Sequence, residues 1–372
     1  MRAAEERAWE VVSRAYEERT PEVHARQPSR RLTVALVVAV VGAVVASVLS
    51  PPGRAVFHRF REAVGIQRAA PALFSLPAKG RLLVVSQRHG GVWLVHDNGL
   101  KRRLGSFDDA EWSPHGRFLI ATRRNELVAL DEQGDVHWSL TRRGARAPRW
   151  EGTTTDTRIA YLSASGLRIV AGDGTGDRLL DRTATSAPPA WDPARLHTLA
   201  YVTRGAVVLQ EVDQGTISWR APIDLRPSAL EWSSDGKLIA VVSPERIVIL
   251  DAAGGSVRRT VSMLGAQLVE ASFAPGSHEL AIVEKHAARS EVRVVDIDHP
   301  GRARLLFAGP GMFGDLAWSP NAKWLLVAWP TADQWLFLHG SNVHAVANIK
   351  EQFPRADGSG ATLRLAGRWC CR

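Results

Sequence analysis

One aromatic residue returns at nearly equal intervals along the chain, and this limits the possible folds more than any other feature. Aligned on it, the segments read AEWSPHGRFLIA at Trp112, PRWEGTTTDTRIAYL at Trp150, PAWDPARLHTLAYV at Trp191, LEWSSDGKLIAVV at Trp232, ASFAPGSHELAIV at Phe273 and LAWSPNAKWLLVA at Trp318. The spacings are 38, 41, 41, 41 and 45 residues, too regular for scattered core aromatics. Each unit divides into four strand-like runs. In the unit at Trp112, one run ends on the Trp and Ser-Pro-His-Gly makes a turn. Phe118 to Thr122, Glu126 to Asp131 and Asp135 to Leu140 follow, with Gly, Pro and Asp at the joints as short hairpins require. The second runs (FLIAT, RIAYL, TLAYV, LIAVV, ELAIV, WLLVA) are almost wholly apolar, as in a strand covered on both faces. A unit of about forty residues with four strands describes one blade of a β-propeller.

A seventh unit lies upstream. Gly80 to Val85, Gly91 to Asp97 and Lys101 to Ser106 supply its second, third and fourth strands, while the place of the first holds only Leu73 to Pro77. The chain ends in ATLRLAGRW, which reads as a first strand with Trp369 at the repeating position. Residues 361–369 are therefore expected to close the ring, with Leu73 to Pro77 as the alternative first strand. Closure removes the open sheet edges that invite aggregation. The expected architecture is all-β: a seven-bladed propeller of four-stranded blades over 72–372, with blades starting near 72, 107, 146, 187, 227, 269 and 314. Trp112, Trp150, Trp191, Trp232, Phe273, Trp318 and Trp369 are its repeat positions.

The W-S-P-x-G turn, the apolar strand after it and the closing (V/I)xxLD resemble WD40-like and TolB-like (PD40) β-propellers, over roughly residues 72–369. The motif carries the fold and not a function. No Gly-His pair opens the blades, and Leu stands before Asp131 and Asp251 where a WD40 repeat has Trp, so the WD40 hydrogen-bond tetrad is not expected. GDVHWSL at Trp138 and GTISWRA at Trp219 resemble the G-K-x-x-W strand of quinoprotein propellers, a likeness too short to carry a cofactor.

Ahead of the repeats, Leu32 to Leu49 (LTVALVVAVVGAVVASVL) holds 18 residues without a charge. As a helix it would extend about 27 Å, close to the thickness of a bilayer's hydrocarbon core. Ser50-Pro51-Pro52-Gly53 stops it. The 31 residues before it are too long and too acidic for the leading region of a cleaved signal peptide, which favours a signal anchor. Four Arg flank the run on each side, so charge count gives no orientation. Arg30 and Arg31, which abut it, favour a cytoplasmic N-terminus and an extracytoplasmic propeller. Residues 1–31 then form a cytoplasmic helix and basic flank, 32–49 a single transmembrane helix and 50–71 a juxtamembrane spacer. Trp9, Val12 and Tyr16 line one face of the N-terminal helix, which suits either the inner membrane surface or a cytoplasmic partner.

Composition and motifs narrow the chemistry. The only two Cys, Cys370 and Cys371, exclude a disulfide framework, a Cys-based zinc site and a four-Cys iron–sulfur cluster. As neighbours they could form a vicinal disulfide, link two chains or remain thiols. The net charge of +9 divides into +4 over residues 1–71 (11 Arg, 7 acids) and +5 over the rest, an ordinary solvated surface and not a nucleic-acid footprint. HExxH, G-x-S-x-G and Walker A sequences do not occur. His339 and His344 read as a surface pair, and Asp173 to Asp177 as a hairpin turn that lacks the closing Glu of a calcium loop. No catalytic, cofactor or metal residues are assigned. The expected role is a non-enzymatic, membrane-anchored module binding an unknown protein or envelope ligand at one propeller face. The alternatives are a transmembrane regulator signalling through the N-terminal helix, anti-sigma-like, and a propeller enzyme.

Overall fold

The computed structural model describes residues 75–86, 91–153, 155–262, 265–353 and 362–371. The N-terminal helix, the transmembrane run 32–49 and the spacer 50–71 lie outside these residues. Among the described residues, no helix is long and apolar enough to cross a membrane.

Seven four-stranded antiparallel sheets follow one another along the chain. Blade 1 takes β1 (Arg81–Ser86), β2 (Gly91–Val95) and β3 (Lys101–Gly105). Blade 2 holds β4 (Asp109–Trp112), β5 (Phe118–Arg123), β6 (Glu126–Asp131) and β7 (Val136–Thr141). Blade 3 holds β8 (Arg146–Trp150), β9 (Arg158–Ser163), β10 (Gly166–Ala171) and β11 (Arg178–Asp181). Blade 4 holds β12 (Ala190–Trp191), β13 (Thr198–Thr203), β14 (Ala206–Glu211) and β15 (Ile217–Pro222). Blade 5 holds β16 (Ala229–Trp232), β17 (Leu238–Val242), β18 (Arg246–Asp251) and β19 (Val257–Ser262). Blade 6 holds β20 (Gln267–Phe273), β21 (Glu279–Lys285), β22 (Arg289–Asp296) and β23 (Ala303–Pro310). Blade 7 holds β24 (Leu316–Trp318), β25 (Leu325–Trp329), β26 (Gln334–His339) and β27 (Asn342–Ala347), followed by a short helix α1 (Ile349–Gln352). The last strand, β28 (Leu363–Cys370), returns to pair with β1 as the first strand of blade 1.

The first strands touch one another in a closed cycle, β28–β4–β8–β12–β16–β20–β24 and back to β28, so they form the wall of the central channel. Hydrophobic packing lies between blades. Each of seven apolar clusters joins two neighbouring sheets, as where Leu83 and Val85 of blade 1 meet Trp112, Leu119 and Ala121 of blade 2. This is why the second strands are apolar on both faces: β13 and β17 are buried along their whole length.

In three blades a serine after the repeating aromatic fixes the turn into the second strand. Ser113, Ser233 and Ser319 are buried, and each hydroxyl oxygen accepts the N–H that opens that strand, from Phe118, Leu238 and Trp324 at 2.9–3.0 Å. Gly116 and Gly236 complete these turns at φ 65° and 70°, where a side chain would be strained. In blade 3 the buried Glu151 replaces the serine, its carboxylate accepting the N–H of Arg158 and, across the seam, that of His197.

Candidate functional site: the central channel

Side chains alternate along a strand, so when the repeating Trp points into a seam, the residues one and three positions before it point the other way. The inner-strand residues one before the aromatic are Glu111, Arg149, Ala190, Glu231, Ser272 and Ala317. Those three before are Asp109, Ala147, Pro188, Ala229, Glu270 and Asp315. In blade 1 a β-bulge in β28 shifts the register, so that Arg364 pairs with Val85 and stands level with Asp109, which pairs with Thr122. The charged members of these two layers line the channel, while Ala147, Ala190, Ala229 and Ala317 pack against the seams.

Their contacts are uneven. Arg364 donates from Nη2 to Asp109 Oδ1 at 2.6 Å, joining residues from opposite ends of the propeller sequence. Asp315 accepts the Leu365 N–H at 2.7 Å, and Glu111 accepts the N–H of Trp112 at 3.1 Å. Gly367 makes room for the latter: a Cβ built there would come within 2.6 Å of Glu111 Oε1. The carboxylates of Glu231 and Glu270 have no hydrogen bond or ion pair among the described residues.

The electrostatics follow from this placement. Burial raises the Glu111 carboxyl above the usual range, against the pull of Arg149 and Arg368. Burial pushes Glu231 up to about 7, opposed by Arg149 and aided by the charge of Glu111. Glu270 is pushed up to about 8, first by burial and then by Glu231 and Asp315. Asp315 is also raised by burial, against the Leu365 N–H and Arg364. Burial works to lower Arg364, but Asp109, Asp315 and Glu270 hold it above its ordinary value. The channel thus carries two carboxyl groups, Glu231 and Glu270, that hold protons up to neutrality. A cation entering it gains Coulomb energy and releases protons.

The repeat positions marked from sequence sit just outside this wall. Trp191, Trp232 and Trp318 each donate Nε1–H to a main-chain carbonyl of the preceding blade: Arg149 at 2.8 Å, Ala190 at 3.0 Å and Ser272 at 3.1 Å. Trp112 and Trp369 are buried with Nε1 unpartnered, Trp150 bonds Thr157 Oγ1, and Phe273 has no N–H to give. These residues join blades and do not gather into one site. Trp138 and Trp219 dock on the next blade, donating to the carbonyls of Gly172 and Ala252.

Several other polar clusters are structural. Asp177 accepts from Arg142, Arg168 and Tyr161, so this acid of the 173–177 turn is fully engaged. His339 stacks on Trp324 and His344 on Phe337, on the outer strands of blade 7. His197 and His278 occupy equivalent turns. Each ring binds a carboxylate of its own blade through Nδ1, Asp213 at 2.8 Å or Asp298 at 2.7 Å, and reaches Asp156 or Asp235 of the blade before. Cys370 and Cys371 form a disulfide beside Gly116 of blade 2. The channel carboxylates were missed in sequence because their residue types differ from blade to blade; the alternation ahead of each repeating aromatic was the one signal that could have pointed to them.

No family model matches the chain, and no curated protein matches it in sequence. Many solved structures match it in fold. A chain of the mitotic checkpoint complex superposes with a TM-score of 0.54 at 17% identity, covering 73% of this chain and 90% of that one. Kluyvelomyces marxianus Hsv2 gives 0.51 at 10% identity, covering 66% and 85%. Kuenenia stuttgartiensis hydrazine synthase gives 0.50 at 14% identity, covering 62% and 76%. Identities this low establish the shared β-propeller fold and nothing about activity.

Proposed function

We propose that the chain is a membrane-tethered binding module, not an enzyme, whose extracytoplasmic propeller captures a partner protein by receiving one of its basic side chains in the central channel. The carrying observation is the pair Glu231 and Glu270: two carboxylates on the channel wall that lack any partner among the described residues. A Lys or Arg side chain supplies the charge and the donors both lack. The rigid ring suits a scaffold, since a pre-formed site loses little entropy on binding. The apolar run 32–49 supports the tether, and Arg30 and Arg31 beside it support an inward N-terminus.

Two measurements test this reading. A photoreactive amino acid at Ser272, on the innermost strand β20 two residues from Glu270, should give protein adducts that disappear in the E231Q/E270Q double variant. Adducts that persist in the variant, or none in the wild type, would refute channel capture. Separately, protease added to intact cells should cut between residues 53 and 72 and release a C-terminally tagged propeller. Protection until lysis would place the propeller inside.

A further inference from the structure

Blade 6 is built longer than its neighbours: β21 has 7 residues and β22 and β23 have 8 each. At the end of the β21–β22 hairpin, Glu284 and Glu291 are register partners. Like charges directly opposite across a ladder are destabilising, and more so here because the two residues are only 2% and 7% exposed. His286, two residues beyond Glu284, shares its face and brings Nε2 to 3.8 Å from Glu284 Oε2. Glu284 Oε1 and His286 Nε2 are both buried without a hydrogen-bond partner.

The neighbouring arginines do not complete the site. Arg289 and Arg293 each bond one oxygen of Glu291 at 2.6 Å, while Glu284 has only Arg293 Nε at 3.4 Å. Their side chains are 52% and 33% exposed, against 2% and 9% for the glutamates, and Glu284 keeps one buried oxygen that neither arginine reaches.

We propose that Glu284, His286 and Glu291 form a binding site for a single first-row divalent cation of the zinc class. One ligand atom from each lies within 4.8 Å of the others. An imidazole nitrogen with two carboxylate oxygens suits zinc and its neighbours better than the all-oxygen sets of calcium or magnesium. Arg289 and Arg293 then hold the Glu291 carboxylate in place as outer donors. The ion would tie the tip of the blade 6 hairpin together and satisfy both orphaned atoms. Asp156, His197 and Asp213 approach one another similarly, but Arg158 bridges both aspartates tightly, at 2.6 and 2.7 Å, whereas Arg293 reaches Glu291 at 2.6 Å but Glu284 only at 3.4 Å.

The test uses the full-length chain in detergent, stripped with a chelator and titrated calorimetrically with Zn2+, with Co2+ absorption as a second readout of ligation. The wild type should take up one equivalent with a rise in Tm. Affinity should fall at least about tenfold in both E284Q and H286A while D213N binds normally. His286 is only part-buried, so H286A keeps the test decisive if E284Q unfolds. Absence of stoichiometric uptake by the wild type would overturn the proposal and leave a buried water between these atoms. Uptake undiminished in both variants would also overturn it.

Discussion

A single nitrogen separates two kinds of repeating Trp. Trp191 Nε1 has an acceptor in the neighbouring blade, the carbonyl of Arg149, whereas Trp112 Nε1 is buried with none. Replacing either by Phe removes similar apolar area, but only at Trp191 does it break a bond and strand a carbonyl. A net hydrogen bond is worth about 1 kcal/mol, and a buried orphan N–H costs about 1–3 kcal/mol. W191F should therefore destabilise the propeller by at least about 1 kcal/mol more than W112F in urea unfolding. Equal losses would mean that seam packing alone matters. Gly367 poses a steric case beside the channel. At φ 60°, with Glu111 Oε1 where its Cβ would go, Gly367→Ala should cost about 1 kcal/mol or more and displace the Glu111 carboxylate. The shift in Tm measures the first effect, and the titration of Glu111 followed by NMR the second.

Among the elements, β28 has the largest consequence for its size. It buries Leu365, Ala366 and Trp369 between blades and pairs along β1, while its Arg364 bonds Asp109 on β4. Deleting residues 363–371 would leave β1 as an unpaired inner edge and open the cycle of first strands. The truncated chain should lose cooperative unfolding and aggregate at concentrations where the full chain stays dispersed, as light scattering would show. A truncation with unchanged cooperativity would mean that the other six blades hold the ring alone. The blades themselves were legible in sequence, because apolar second strands and turn residues repeat with the aromatic. The serine caps at Ser113, Ser233 and Ser319 were visible as letters, but their hydrogen bonds were not. The channel was legible only in half. Alternation places Glu111, Glu231 and Glu270 opposite the seam, yet nothing linear shows that Glu270 faces Asp315 and Arg364, or that a bulge in β28 lifts Arg364 level with Asp109.

Taken as a whole, the molecule concentrates several acids at its axis, and this ties its stability to pH. Glu231 and Glu270 titrate at about 7 and about 8 in the folded protein, against about 4.3 for an unperturbed glutamate. The folded state therefore binds more protons than the unfolded one between those limits. The sign follows from linkage: stability falls with rising pH wherever the native state is the more protonated. These two groups contribute most fully below about pH 4.3, and that contribution is lost as pH rises through 7 and 8. Asp177 and Asp213 act in the opposite sense. Burial would raise their carboxyls, but hydrogen bonds and charges from Arg168 and Arg158, among other partners, hold them below the usual range, so their contribution disappears only in acid. Thermal unfolding should accordingly show its highest Tm near pH 5 and decline between about pH 5 and 8. In the E231Q/E270Q variant the amide cannot ionise, so this decline should flatten while the acid limb below it is unchanged. A basic side chain held in the channel would flatten the same limb in the wild type by favouring the ionised carboxylates. Adding a short oligo-lysine peptide at pH 8 should therefore raise the Tm of the wild type and leave the double variant unmoved. An equal rise in both would place the peptide on the outer surface instead of the axis.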